Sequence, residues 1–122
     1  MSLEKFSRSQ IPDRPAVAVR KNGSLSINNV ATEQFELKEM RFVTLHFDRE
    51  DKILGIRPEE DSTDSSVFMV SKQKDRTLVI SCQAFLKHCG INYKEGSRIL
   101  RAVWNSVEKM ILVNLQTNHS GR

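Results

Sequence analysis

The sequence has few of the residues that hold specialised small proteins together. Only two of its 122 residues are cysteine, Cys82 and Cys89, too few for the disulfide framework of a small secreted domain. No apolar run approaches the roughly 20 residues needed to cross a bilayer, and residues 1–15 lack the apolar segment of a signal peptide. We therefore expect a protein of the cytoplasm, a reducing compartment, with no membrane contact.

Patterns typical of enzymes and of cofactor sites are also missing. The five glycines do not recur at the short spacing of a phosphate-binding loop. His46, His88 and His119 stand in no serine–acid arrangement of a hydrolase. Cys82 and Cys89 are seven residues apart, whereas zinc sites normally have closer pairs and four ligands. We expect no enzyme, no metal and no cofactor.

What the sequence does contain is one pattern of strands and a short helix that occurs twice. The first copy spans residues 16–58 and the second spans residues 67–115, each in the order ββαββ. Apolar positions of the two copies match when they are superposed: Leu25 with Leu78, Ile27 with Ile80, Ala31 with Phe85, Phe35 with Cys89, Leu37 with Ile91, Val43 with Leu100, Leu45 with Ala102, Phe47 with Trp104, Leu54 with Ile111 and Ile56 with Val113. We interpret this match as an internal duplication.

Local signals support the elements of each copy. Asn22 and Gly23 predict a hairpin turn, because both tolerate positive φ. Asn28 or Asn29 is expected to cap the first helix, and Gly90 to end the second in the left-handed conformation. Alternating polarity predicts strands at 16–21, 24–28, 41–48, 52–57, 67–70, 78–80, 98–104 and 109–115.

The size of the copies predicts how they pack. A unit of about 45 residues is marginal alone, so we expect the two copies to interlock around one core. The fold prediction is a mostly β, pseudo-two-fold barrel with two short helices, formed by residues 16–115. Residues 1–15 are predicted to be a flexible arm, residues 59–66 an acidic linker after Pro58, and residues 116–122 a tail.

The order of these elements resembles the SpoVT/AbrB-type swapped-hairpin family. The matching segments are VRKNGSLSIN, FEL, KE and FVTLHFDREDKILGI in the first copy, and RTLVIS, CGI, KEG and ILRAVWNSVEKMILV in the second. Both copies in one chain is an arrangement similar to MraZ-type proteins. The resemblance covers nearly all of residues 16–115. It implies a swapped-hairpin, double-psi-like barrel and a DNA-binding transcription regulator that assembles as a homo-oligomer.

Basic residues near the first turn of each copy are the candidate DNA-binding site. The net charge is +4, and residues 67–115 hold eight basic and three acidic residues. The candidate residues are Arg20, Lys21, Lys72, Lys74 and Arg76. Together on one edge of the barrel, they would form a basic strip that neutralises phosphates of double-stranded DNA. Arg98 and Arg101 add to this strip only if the phase of their strand allows it.

Two alternatives remain open. The same cations can be solvated strand residues whose charge discourages edge-to-edge pairing. The family's DNA face usually carries an arginine after the turn, but Ser24 and Thr77 take that position here, and the first helix has no basic residue. These differences favour a non-enzymatic protein-interaction or assembly module that has kept the barrel and binds a protein partner.

Overall fold

The computed structural model describes residues 14–61 and 65–116. Residues 1–13 of the predicted arm, 62–64 of the predicted linker and 117–122 of the predicted tail lie outside this part. Strands make up 43% of the described residues and helices 12%, so the prediction of a mostly β protein with short helices is confirmed.

The described residues form nine strands and two helices. Their order is β1 (Ala16–Val19), β2 (Ser24–Ile27), α1 (Asn29–Gln34), β3 (Phe42–Asp48), β4 (Ile53–Glu59), β5 (Phe68–Met69), β6 (Ser71–Lys72), β7 (Leu78–Ser81), α2 (Gln83–His88), β8 (Arg98–Asn105) and β9 (Met110–Asn114). The strand order across the sheet is β5-β3-β4-β9-β8-β1-β2-β7-β6. All of these pairs are antiparallel, and the sheet curls into a nearly closed barrel.

Alternating side chains explain why the strands close around a core. Val17 and Val19 of β1 and Leu25 and Ile27 of β2 have no exposed surface, since successive side chains of a strand point to opposite faces. Leu78 of β7 is equally buried and belongs to the same core cluster as Leu25. Strands from residues 16–58 and from residues 67–115 therefore contribute to one hydrophobic core.

The two helices are short and begin differently. Asn28 caps α1, and its Oδ1 accepts from the Ala31 N–H at 2.9 Å. Cys82 precedes α2, and its side chain makes no capping hydrogen bond. Each helix is followed by a residue in the left-handed region, Glu36 at φ 56° and Gly90 at φ 71°, so the predicted left-handed Gly90 is confirmed. Helices of six residues need packing to persist.

Two local details differ from the sequence predictions. Strand β4 passes through Pro58 to Glu59, although proline was expected to end it and the linker was expected to begin at residue 59. Strand β9 pairs with β4 only as far as Ile56, so Pro58 lies where β4 has one paired neighbour and its missing N–H interrupts no second ladder. Ser71 and Lys72 form strand β6, in a segment between the strands predicted at 67–70 and 78–80.

Candidate nucleic-acid interface and neighbouring clefts

All five predicted DNA-binding residues are exposed. Arg20 and Lys21 lie in the turn between β1 and β2. Lys72 ends β6, and Lys74 and Arg76 lie in the turn between β6 and β7. The two turns share a backbone conformation, with Gly23 at φ 87° and Arg76 at φ 74°.

Antiparallel pairing of β2 with β7 separates these turns. Ser24, which follows the first turn, is opposite Ser81, whereas Leu78, which follows the second turn, is opposite Ile27. The turns therefore lie at opposite ends of the β2–β7 pair, about 10 Å or more apart at the usual rise of a strand. Arg20 and Lys21 form one group, and Lys72, Lys74 and Arg76 form another.

The second group is compensated by acidic and carbonyl groups. Arg76 forms an ion pair with Glu33 of α1, and the Lys72 ammonium donates to the Lys38 carbonyl at 3.2 Å. Asp75 lies between Lys74 and Arg76, and the backbone N–H and hydroxyl of Thr77 lower the pKa of its carboxyl group. These contacts fix the turn against α1, and Glu33 and Asp75 offset two of the three cations.

The first group has no such compensation. Within the described part of the chain, neither Arg20 nor Lys21 forms an ion pair. Strand β8 runs beside β1, with Ala16 opposite Arg101. Arg101 is exposed between buried Leu100 and Ala102, so it points outward from the barrel.

Strand phase also settles the two arginines that the sequence left open. Arg98 is partly buried, and its Nη2 donates to the Leu115 carbonyl at 2.7 Å. Arg101 lies on the outer face of the sheet opposite Ala16, because Val17 and Val19 of β1 point into the core. Arg20 follows the other end of β1, about 13 Å along the strand from Ala16. We name Arg20, Lys21 and Arg101 the basic face. The alternating pattern of β8 predicts that Arg101 points outward only when Leu100 and Ala102 are known to point inward.

A polar cluster on β3 and β4 does not have the geometry of a catalytic site. Thr44 Oγ1 donates to Glu59 Oε2 at 2.8 Å and lies 2.9 Å from His46 Nε2. Because the hydroxyl has one hydrogen, Nε2 of His46 is the donor toward Thr44. In a hydrolase triad the imidazole stands between the acid and the hydroxyl. Here the hydroxyl stands in the middle, so the imidazole cannot activate it as a nucleophile.

The thiols belong to the core. Cys82 and Cys89 are 2% and 7% exposed and are not disulfide-bonded, so the prediction of Cys89 as a core residue is confirmed. Burial raises the pKa of the Cys82 thiol to about 12 and also raises the pKa of Cys89. Low thiolate content makes both thiols poor nucleophiles and poor metal ligands. No group of three metal-ligating side chains occurs among residues 14–61 and 65–116.

One concave surface of the barrel combines aromatic and acidic side chains. It has a volume of about 500 Å³ and is bounded by the end of α1, the start of β3, the end of β4 and Trp104 of β8. The half-buried side chains of Phe35 and Trp104 line it, with ring centroids 5.9 Å apart. Glu36, Glu39 and Glu60 also line it and are exposed, and we call these three carboxylates its rim. We name this surface the acidic cleft.

No protein-family model matches this chain, and no curated protein or solved structure does so either. Among the described residues, neither helix has the length and apolar character that crossing a membrane requires.

Proposed function

We propose that residues 16–58 and 67–115 are two duplicated halves that interlock, as in the swapped-hairpin domains that the sequence resembles. The pairing of β2 with β7 and of β4 with β9 supports this proposal, because these are the equivalent strands of the two halves. At the centres of these pairs, Ser26 is opposite Val79 and Gly55 is opposite Leu112. In each centre, the two facing residues are equivalents in the superposition.

Matching turns support the same proposal. Lys52 and Lys109 follow the two hairpin turns at φ 57° and 56°. Contacts between the halves are also similar, because the turn of each half accepts a hydrogen bond from the helix of the other half or from the residue before that helix. The Thr32 hydroxyl of α1 donates to the Arg76 carbonyl at 2.9 Å, and the Cys82 N–H before α2 donates to the Gly23 carbonyl at 3.1 Å.

We propose further that the barrel is a transcription regulator that binds double-stranded DNA through the basic face. The observation that carries this proposal is the exposure of Arg20 and Lys21 in the turn after β1 and of Arg101 on the neighbouring strand β8, with no ion pair to any of them in the described part of the chain. Guanidinium and ammonium groups bind phosphate oxygens and release the counterions that surround DNA. Lys72, Lys74 and Arg76 have a lesser role, since Glu33 and Asp75 lie beside Arg76.

Salt dependence tests this proposal. Three phosphate contacts predict that the logarithm of affinity falls with the logarithm of salt concentration with a slope of about −2.7. The measurement is fluorescence anisotropy of a labelled duplex of mixed sequence, starting at about 50 mM salt. We expect the variant Arg20→Ala/Lys21→Ala to weaken binding at least about tenfold and to flatten the slope by about two.

The matched control is Lys72→Ala/Lys74→Ala, which removes two cations from the compensated group. It should weaken binding much less than the variant of the basic face. Absence of any duplex binding at low salt would exclude the DNA-binding proposal, and equal losses in the two double variants would exclude the basic face as its site.

A protein-interaction module is the second candidate, and two exposed apolar side chains favour it. Ile99 is 64% exposed and Val103 is 53% exposed, and they flank Arg101 on the outer side of β8. Apolar residues that cluster on a surface mark sites of protein association. A pull-down that returns a protein partner and no nucleic acid would select this candidate.

A further inference from the structure

The hairpin turns between β3 and β4 and between β8 and β9 have the same hydrogen bonds but a different second residue. Asp48 Oδ1 accepts from the N–H groups two and three residues later, at 3.0 and 3.1 Å. Asn105 Oδ1 accepts from the corresponding N–H groups at 3.0 and 2.8 Å. Arg49 follows Asp48, whereas Ser106 follows Asn105. The two positions are therefore structurally equivalent, and only one carries a cation.

Arg49 uses its position to bridge a strand and a helix. Its guanidinium carbon lies 5.9 Å from the centroid of the Phe47 ring, within the range of a cation–π contact. Its Nη2 donates at 2.9 Å to the carbonyl of His88, the last residue of α2. Phe47 of β3 and the end of α2 thus bind Arg49 of the same chain.

The corresponding site beside β8 has the aromatic side chains but no arginine equivalent to Arg49. Trp104 occupies the strand position that matches Phe47, and Phe35 caps the end of α1 as Cys89 caps the end of α2. The Trp104 and Phe35 rings lie 5.9 Å apart, tilted by 35°. Ser106 cannot reach them with a charge. Both rings line the acidic cleft.

The rim of the cleft supplies the complementary charge. Glu36, Glu39 and Glu60 form no ion pair within the described part of the chain. With Glu59, four carboxylates line the cleft against the two cations Arg41 and Lys109. This concave surface is therefore acidic, although the whole chain has a net charge of +4.

We propose that the acidic cleft binds an arginine side chain carried by a basic segment of another protein. The guanidinium would lie against Trp104 as that of Arg49 lies against Phe47, with its N–H groups donating to rim carboxylates. Arginine fits better than lysine, because a planar guanidinium stacks on an aromatic ring and donates to carboxylates from a fork. The proposal gives the protein-interaction candidate a specific site and is independent of DNA binding by the basic face.

Trp104 is the only tryptophan of the chain, so its fluorescence reports on the cleft directly. The probe is an acetylated and amidated peptide of three arginines separated by glycines, titrated into the full chain. We expect a saturable change in tryptophan emission. The matched lysine peptide should bind at least about threefold more weakly, and the matched glutamate peptide should leave the emission unchanged.

Variants that remove rim carboxylates test whether these groups bind the arginine peptide. Glu39→Gln/Glu60→Gln should weaken binding of the arginine peptide about tenfold and should not weaken duplex DNA binding, since it removes two negative charges. The matched control Glu50→Gln/Glu95→Gln removes two exposed carboxylates outside the cleft and should not alter peptide binding. Equal effects of the two double variants would mean that the peptide responds only to total charge, and the proposal would be wrong.

A third variant fills the cleft from within. Ser106→Arg gives the turn between β8 and β9 an arginine at the position that Arg49 has in the turn between β3 and β4. It should therefore shift tryptophan emission without peptide and weaken peptide binding at least about tenfold. Ser106→Gln is its uncharged control and should bind the peptide normally. Unchanged peptide affinity in Ser106→Arg would overturn the proposal. So would self-association in sedimentation equilibrium that Glu39→Gln/Glu60→Gln abolishes, since a second copy would then occupy the cleft.

Discussion

Gly23 and Arg76 occupy the same position in two turns with the same hydrogen bonds. The Gly23 N–H donates to the Arg20 carbonyl at 3.0 Å, and the Arg76 N–H donates to the Gln73 carbonyl at 2.9 Å. Both residues are in the left-handed region, which costs a side-chain-bearing residue about 1 to 2 kcal/mol. Contacts of Arg76 with Glu33 and Thr32 offset that cost. Packing therefore stabilises the left-handed residue of the turn between β6 and β7, whereas the turn between β1 and β2 has a glycine at that position.

Alanine in place of Gly23 is expected to destabilise the barrel more than alanine in place of Gly90. Both positions have positive φ. A Cβ at residue 23 would lie 2.9 Å from the Gln83 Cβ, whereas one at residue 90 would meet nothing within 4 Å. We expect Gly90→Ala to lower the free energy of unfolding by about 1 kcal/mol and Gly23→Ala by about 2 to 3 kcal/mol. Urea unfolding measures both, and equal losses would contradict a steric contact with Gln83.

The sequence predicted those parts of the fold that local chemistry determines. Alternation placed Leu25 and Ile27 in the core, and both are fully buried. Asn22 and Gly23 predicted a turn, and Gly23 has the required positive φ. Arg76 gave no such signal, because the contacts that hold its turn come from α1, more than forty residues earlier.

The candidate site was harder to predict because it depends on strand pairing. The grouping of the basic residues follows from β2 lying antiparallel to β7, a contact between distant segments. Arg98 and Arg101 have similar sequence surroundings, but one bonds to the Leu115 carbonyl and the other is exposed. The acidic cleft is assembled from α1, β3, β4 and β8, so no single segment of sequence contains its pattern.

Asn28 and Asn29 were equal candidates for the cap of α1, and mutation should separate them. Asn28 Oδ1 accepts from the N–H groups of Ala31 and Ala16 at 2.9 and 3.1 Å. Asn29 is exposed in the first turn. We expect Asn28→Ala to lower the free energy of unfolding by about 2 kcal/mol and Asn29→Ala by less than about 0.5 kcal/mol. Thermal or urea unfolding decides, and comparable losses would argue against Asn28 as the cap.

The Tyr93 hydroxyl predicts a stabilising substitution. Tyr93 is 3% exposed, and its hydroxyl oxygen is buried and has no hydrogen-bond partner in the described part of the chain. A buried polar group without a partner costs about 1 to 3 kcal/mol. We expect Tyr93→Phe to raise the free energy of unfolding by about 1 kcal/mol, because it removes the hydroxyl and keeps the ring. A loss of 1 kcal/mol or more in urea unfolding would indicate that the hydroxyl forms a stabilising bond.

The thiol of Cys82 should make stability depend on alkaline pH. Its pKa is raised to about 12 in the fold, against about 8.5 in an unfolded chain. A raised pKa contributes stability that is fully present below the unfolded value and is lost as the pH rises toward the folded value. Between pH 9 and 11 the unfolded state therefore ionises first, and each pH unit lowers the free energy of unfolding by up to about 1.4 kcal/mol for this group.

Two measurements test the buried thiols of Cys82 and Cys89. In urea unfolding at several pH values, the free energy of unfolding should decline less from pH 9 to pH 11 in Cys82→Ala than in the unmodified chain. Comparing the two chains cancels the titration of the lysines that both contain. Reaction with a thiol reagent at pH 8 should be slow in the native protein and fast in urea, because only a small thiolate fraction exists in the fold. Rapid native labelling, or parallel pH profiles of the two chains, would show that these thiols are accessible and that burial does not set their pKa.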